Sequence, residues 1–406
     1  MGAYRSINYS SSQFPNPSLD GNVLRFYAYL NAFTSGIGLT TTFTDIYTGS
    51  TGVSGVAMKG LIQARNGFVY VFPASGGQVL KFDPTTESAM ERPAGLTNMF
   101  ATGLGASIHL DDSGRYIYIF STQEQQARGI RKIDTQTDTM TTVSGTGSGS
   151  RLFGVKGANG NVYFTPYFSN SANSFTKFNM DTDTFTTFGI ALTPNVFGWN
   201  NSWGAVGVAF NEKIYCVMRD KIVVIDPMTD SITWDSNLGL GLSAQSGVSH
   251  RGGGMVLAPN GCFYIPRAEN GLTSSVLKLD PTKSSGLTFS YIPNTLTRSN
   301  RHRGVVGADG RLYYTVKYTG LATNCMVIDW KTDTITEFGT GLVNACCDHL
   351  SDMIVASNGS IYCTMNATYS TPHAIKKITS SVTKSLPQGF HLSRYMKNSS
   401  NASAQD

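Results

Sequence analysis

Nine residues of this chain carry groups suited to polar ligands: Arg151, Trp203, His250, Arg251, Arg267, Arg301, His302, Arg303 and His349. Guanidinium forks hold planar anions through paired N–H donors, and aromatic faces stack on the apolar faces of a ligand. Brought together, these groups suit a carboxylate, a phosphate or an acidic sugar. The competing reading is structural, with the same arginines paired to loop carbonyls or to Asp348, Asp352 and Glu269. Covalent and phosphate chemistry leave no signature. There is no Gly-x-Ser-x-Gly, His-Glu-x-x-His or P-loop pattern. The Gly-rich stretch from Ser144 to Ser150 is followed by no helix start for a phosphate to meet. The six cysteines include no Cys-x-x-Cys pair and read as buried thiols. No catalytic residue, metal site or cofactor is therefore expected, and His109 reads as a core histidine.

What must position the nine residues is a repeat. An apolar residue followed by Asp or a substitute recurs at Phe82-Asp83, Ile133-Asp134, Phe178-Asn179, Ile225-Asp226, Leu279-Asp280, Ile328-Asp329 and Ile378-Thr379. A tyrosine keeps step with it, at Tyr70, Tyr118, Tyr163, Tyr215, Tyr264, Tyr313 and Tyr362. Two independent markers with one period of about 50 residues define repeated units. Asn66-Gly67, Asn159-Gly160, Asn260-Gly261, Asp309-Gly310 and Asn358-Gly359 sit between apolar runs, where positive φ at both central positions predicts two-residue hairpins. The runs that follow are β-branched and aromatic, as half-buried strands require. Asp83-Pro84 and Asp226-Pro227 mark a second hairpin, in which Asp caps the turn and Pro presets φ. Beyond it, Asp333-Thr-Ile-Thr-Glu-Phe338 alternates with period two, as a half-solvated outer strand does.

With the Gly-rich apolar stretch before each Asn-Gly, every unit holds four antiparallel strands, and seven such units predict an all-β, seven-bladed β-propeller. The pattern Ala258-Pro-Asn-Gly-Cys-Phe-Tyr-Ile-Pro266 followed by Leu279-Asp-Pro-Thr282 resembles the kelch-like and NHL-like group of seven-bladed propellers. The chain lacks the Gly-Gly and Trp pair of true kelch repeats and the Trp-Asp dipeptide of WD40 repeats. The resemblance covers residues 56–385. Residues 1–55 form an N-terminal arm, in which the stretch from Leu39 to Tyr47 is expected either to complete the last blade near Ile375 to Leu386 or to cap the ring's edge. Residues 386–406 form a polar tail.

Only 14% of residues are charged, against about a quarter in ordinary domains. The net charge of +5 is small and dispersed, which argues against nucleic-acid binding. No run is apolar enough for a membrane span. The start Met1-Gly-Ala-Tyr-Arg lacks the features of a signal peptide, so synthesis in the cytoplasm is expected. Sparse charge, a Ser/Thr/Gly-rich β-surface and a separate arm look similar to virion structural or attachment proteins of phages. The expected function is a non-enzymatic interaction or scaffold propeller in a larger assembly such as a virion, with other protein chains engaged through the arm. The alternatives are a lectin-like protein with a glycan or small anion at the channel mouth, and a sugar lyase or hydrolase. The fold itself does not choose among them. The nine candidates fall at the end opposite the Asn-Gly and Asp-Pro hairpins, and the repeated Tyr and Asp read as packing and turn caps.

Overall fold

The computed structural model describes residues 42–49, 58–73, 77–87, 91–97, 106–121, 130–143, 151–166, 175–188, 205–218, 221–235, 254–266, 275–281, 288–293, 300–317, 323–342, 352–365 and 373–379. They form seven antiparallel sheets. Blade 1 contains Met58–Gln63, Val69–Pro73 and Leu80–Phe82, and blade 2 contains Ala106–Leu110, Tyr116–Ser121, Ile130–Asp134 and Thr139–Val143. Blade 3 contains Arg151–Lys156, Val162–Pro166, Phe175–Asn179 and Thr184–Phe188. Blade 4 follows with Ala205–Val208, Ile214–Met218, Lys221–Asp226 and Ser231–Asp235. Blade 5 has Val256–Leu257, Phe263–Pro266, Ser275–Asp280 and Thr288–Pro293; blade 6 has Asn300–Val306, Leu312–Lys317, Thr323–Asp329 and Thr334–Leu342. Blade 7 takes Met353–Val355, Ile361–Met365 and His373–Thr379 from the end of the chain and its outer strand, Thr42–Gly49, from the beginning.

The first strands of blades 1 to 7 touch one another in order, and that of blade 7 touches that of blade 1. The sheets therefore close into a seven-bladed propeller. Closure is made by Thr42–Gly49, which runs antiparallel to His373–Thr379 from Thr42 opposite Thr379 to Gly49 opposite His373. Blade 1 departs from the four-strand plan. Beside Leu80–Phe82 it has an isolated bridge between Lys81 and Glu91, and Val79 donates to the carbonyl of Leu96.

Burial follows the expected alternation. Outer strands such as Thr184–Phe188 expose their threonines and half-bury the residues between, whereas Val69–Pro73 is buried throughout. Apolar clusters span the junctions between blades. One joins blades 1 and 2, one joins blades 7 and 1, one joins blades 2 and 3, and a large one runs from Ala205 in blade 4 to Ile378 in blade 7. Each large side chain removed from water there contributes about 1.5–3 kcal/mol.

The Asn-Gly hairpins differ from expectation. Positive φ is confined to the glycine, as at Gly67 with φ 90°. Gly67 donates to the Ala64 carbonyl and Ala64 donates to that of Phe68, the pattern of a three-residue loop in which a type I turn precedes a left-handed glycine. Asn66 keeps an ordinary φ because its side chain shapes the turn, accepting from the Phe68 N–H at 3.1 Å.

Close packing also explains a glycine in the first strand of blade 6. A Cβ on Gly304 would lie 2.4 Å from ring atoms of Tyr314 and 2.9 Å from the Tyr313 carbonyl oxygen. Tyr314 is fully buried and donates to the carbonyl of Tyr264 in blade 5, so its ring has no room to move. Gly304→Ala is expected to lower stability by about 1–3 kcal/mol through overpacking, read as a fall in the urea midpoint.

Candidate functional site

Of the nine sequence candidates, Trp203, His250, Arg251, Arg267 and His349 lie outside the described residues. Arg151 opens the first strand of blade 3, paired with Pro166. Arg301, His302 and Arg303 lie in the first strand of blade 6, with Arg301 opposite Val316 and a bulge between Arg301 and Gly304. Counting back six residues from the hairpin residues Gly157 and Gly307 reaches Arg151 and Arg301, and the same count from Ala209 in blade 4 reaches Trp203 in the sequence. The backbone thus gives Arg151 and Arg301 equivalent places at the end of the ring away from the Asn-Gly hairpins.

Other polar groups on the first strands are engaged. Asp352, named in the sequence as a possible arginine partner, is fully buried, and its carboxylate accepts from the N–H of Leu61 in blade 1 at 3.0 Å and of Met353 at 3.0 Å. It stitches blade 7 to blade 1. Ser107 Oγ lies 2.7 Å from His109 Nε2 and accepts from the Gly154 N–H of blade 3. A serine beside a histidine has the elements of a nucleophile and base, but these side chains are 0% and 1% exposed, out of reach of a substrate. The buried Lys156 reaches the Leu110 carbonyl and Asp112, both in blade 2.

The richest polar chemistry lies at the hairpin end, in a unit repeated between blades. At the junction of blades 2 and 3, the Tyr118 hydroxyl donates to Asp183 at 2.7 Å and is 2.7 Å from the Met180 carbonyl, while Lys132 Nζ lies 3.0 Å from Asp183. Tyr70 and Lys81 of blade 1 hold Asp138 of blade 2 at 2.9 and 2.7 Å. Tyr163 and Lys177 of blade 3 hold Asp230 of blade 4, and Tyr264 and Lys278 of blade 5 hold Asp333 of blade 6. Across the closure, Tyr362 and Lys377 of blade 7 hold Glu87 of blade 1 at 2.6 and 2.5 Å. The Asn of the Asn-Gly hairpin completes the unit, as where Asn159 Nδ2 donates to the Tyr163 hydroxyl at 2.9 Å. Burial first, then the hydrogen bond to Asp183, pushes the Tyr118 phenol above its usual range, so it remains a donor.

The sequence reading assigned the tyrosines to packing and the first Asp of each turn to capping. Both assignments hold. The Tyr rings are buried, and Asp83 Oδ1 accepts from the Thr85 N–H at 2.8 Å. A second acid, four residues after five of the caps, carries no such signal in the sequence. Glu87, Asp138, Asp183, Asp230 and Asp333 all have φ between 51° and 56°, a left-handed conformation that ordinarily favours glycine. A side chain retained there signals a needed carboxylate, and the Lys two residues before the preceding blade's cap is the partner that could have revealed it.

Blade 6 varies the unit. Asp309 stands where most blades have Asn; it accepts from the Tyr313 hydroxyl at 2.6 Å and from the Arg311 N–H at 3.1 Å. Burial outweighs these bonds and raises its pKa above the usual carboxylate range. The folded protein then holds this proton more tightly than the unfolded chain, so stability falls as pH rises from the ordinary aspartate value of about 4. Asp309→Asn is expected to remove that decline. Urea titrations at several pH values should show wild type losing ground to the variant as pH increases, and a constant difference would contradict the assignment.

A cleft of about 600 Å³ beside the Asp183 unit is lined by Tyr116, Lys132, Asp134, Thr139, Thr141 and Asp183, among others. Its charges are paired: Lys132 with Asp183, and Arg115 with Asp134, whose pKa the guanidinium lowers. Among the described residues, no group of three or more His, Cys, Asp or Glu side chains is placed to hold a metal, and no helix is long and apolar enough to cross a membrane.

No family model matches the chain, and no curated protein matches its sequence. Solved structures match the fold. A streptogramin B lyase is 13% identical over 84% of this chain and 98% of its own, with a TM-score of 0.58. A catalytically inactive variant of virginiamycin B lyase from Staphylococcus aureus, with quinupristin, is 13% identical over 84% of this chain and 99% of its own, with a TM-score of 0.56. The extracellular domain of a one component system from B. thetaiotaomicron is 12% identical over 82% of this chain and 39% of that one, with a TM-score of 0.56. At these identities the likeness establishes a seven-bladed propeller scaffold whose relatives in shape do different things.

Proposed function

We propose that this chain is a non-enzymatic interaction propeller, a structural, decoration or attachment component of a larger assembly such as a phage virion, with residues 1–55 as its anchor. The observation that carries this reading is the use made of the repeated polar groups. In five blades the recurring Tyr and Lys are taken up, with the second acid of the next blade, in holding blades together, as a display scaffold requires. Thr42–Gly49 belongs to the ring, so the anchoring role falls to residues 1–41. Cross-linking mass spectrometry on the native assembly tests this. Cross-links from residues 1–41 to a foreign chain are expected, and a chain recovered only as a free monomer contradicts the proposal.

The equivalent placement of Arg151 and Arg301 favours a second reading, an anion or acidic glycan bound at the channel mouth. Trp203, His250, Arg251, Arg267, His302, Arg303 and His349 would contribute to the same site. A glycan array probed with wild type and with the Arg151→Ala/Arg301→Ala double variant tests it. Binding to acidic glycans that the double variant loses supports a lectin-like role, and no binding by wild type removes it.

A further inference from the structure

Four hairpins place a glycine directly after an asparagine, at Asn66-Gly67, Asn159-Gly160, Asn260-Gly261 and Asn358-Gly359. Such a pair is open to deamidation. The glycine backbone nitrogen attacks Cγ of the asparagine, the bond from Cγ to the side-chain nitrogen breaks and ammonia leaves, and water then opens the cyclic imide to an aspartate or an isoaspartate. Glycine has no Cβ to hinder the attack. The fold opposes it at all four sites, because each glycine N–H is held by the carbonyl three residues back, at 2.8–3.0 Å, and each asparagine Oδ1 accepts from the N–H two residues on. The side-chain nitrogen is where the four differ. Asn66, Asn159 and Asn358 each donate twice, to the tyrosine hydroxyl of their own blade and to a carbonyl of the neighbouring blade, that of Thr135, Pro227 or Pro84. Among the described residues, Asn260 Nδ2 donates only to the Tyr264 hydroxyl, at 3.2 Å. The corresponding carbonyl of blade 6, that of Trp330, accepts from this hydroxyl and not from the amide.

We propose that Asn260 is a modification site, the hairpin asparagine that deamidates in the closed ring while its three counterparts stay intact until a junction opens. Asn66, Asn159 and Asn358 must break a bond to the neighbouring blade before the side chain can turn toward its glycine nitrogen, so they react through local opening. Asn260 is exposed to water and has no cross-blade amide bond to break. The product acts on the junction of blades 5 and 6. Asp309 shows how a carboxylate behaves at this place, accepting from the Tyr313 hydroxyl at 2.6 Å. In blade 5 the equivalent hydroxyl of Tyr264 already donates to Asp333 at 2.8 Å, beside Lys278. A carboxylate at position 260 sets two acceptors against one phenolic proton and brings a second negative charge to Asp333. An isoaspartate adds a carbon to the backbone of the turn. Either product loosens this one junction.

Peptide mapping by mass spectrometry tests the proposal. The folded full chain, held at mildly alkaline pH, is expected to deamidate several-fold faster at Asn260 than at Asn66, Asn159 or Asn358. In urea the four sites should react at similar rates, so that the fold and not the flanking sequence sets the order. Asn260→Asp is expected to lower the urea midpoint, and less so when combined with Asp333→Asn, which removes the competing carboxylate. First conversion at another of the four sites, no conversion at Asn260 over a time in which the unfolded chain reacts fully, or an Asn260→Asp midpoint equal to that of wild type would overturn the proposal.

Discussion

Asp183→Ala is expected to lower the stability of the ring by about 2–4 kcal/mol. The change removes the counter-charge of Lys132 and leaves the Tyr118 hydroxyl to the Met180 carbonyl. The fully buried Tyr118 loses a 2.7 Å acceptor and Lys132 loses its counter-charge. A hydrogen bond to a charged group contributes about 1.5–3 kcal/mol, and breaking a buried ion pair from one side costs about 3–5 kcal/mol. That second figure is discounted here because the side chains of Lys132 and Asp183 are 21% and 31% exposed. Conservative variants separate the contributions. Asp183→Asn keeps an acceptor and tolerates the φ of 55°, so it should lose about half as much. Tyr118→Phe removes a donor without stranding a charge and should cost about 1 kcal/mol. Equal losses for Ala and Asn at 183 would contradict the share assigned to the turn and the Tyr118 hydrogen bond and leave the ion pair with Lys132 as the whole effect.

Deleting residues 1–49 is expected to be more damaging still, by roughly 3–6 kcal/mol, counting about six lost backbone hydrogen bonds at about 0.5–1.5 kcal/mol each against the entropy recovered by the freed strand. The deletion bares the edge of His373–Thr379 and uncovers the cluster of Leu61, Leu80, Ile354, Tyr362 and Ile375 against which Ile46 packs. A bare edge templates pairing with another chain, so the truncated protein should associate as well as melt early. A chain beginning at residue 40 is the control and should retain the wild-type midpoint. Size-exclusion chromatography with denaturant titration reads both effects, and a monomeric, equally stable deletion variant would contradict the assigned closure.

The scaffold was legible because each blade repeats the same local chemistry. Asp83 and Asp226 cap turns through their own side chains, and the seven tyrosines occupy one position in seven sheets. Such features depend on residues a few positions apart. Closure was legible as one of two alternatives, since the Thr-rich stretch near residue 42 has the pattern of an outer strand without a blade around it but suits an edge cap equally well. The junctions were not. Tyr118 and Asp183 are separated by 65 positions, and the significance of the second acid appears only once the following blade is placed beside its Lys. The Asn-Gly turn was misread because Asn-Gly suits two loop types, and the longer one is chosen here by the bond from Asn66 to the Tyr70 hydroxyl and the Thr135 carbonyl of the next blade. The candidate arginines were legible only as positions: Arg151 and Arg301 share a register, which places their backbones without saying what they hold.

The claim on which the account rests is that one chain closes its own ring through residues 42–49, and cross-linking tests it most directly. Thr48 lies opposite Ala374 in the closing pair, at a separation suited to a disulfide. With Thr48→Cys/Ala374→Cys, mild oxidation should yield a peptide linking these two positions within a monomer and raise the thermal midpoint. Failure to form that link, or its formation only between chains in a dimer, would contradict the closure.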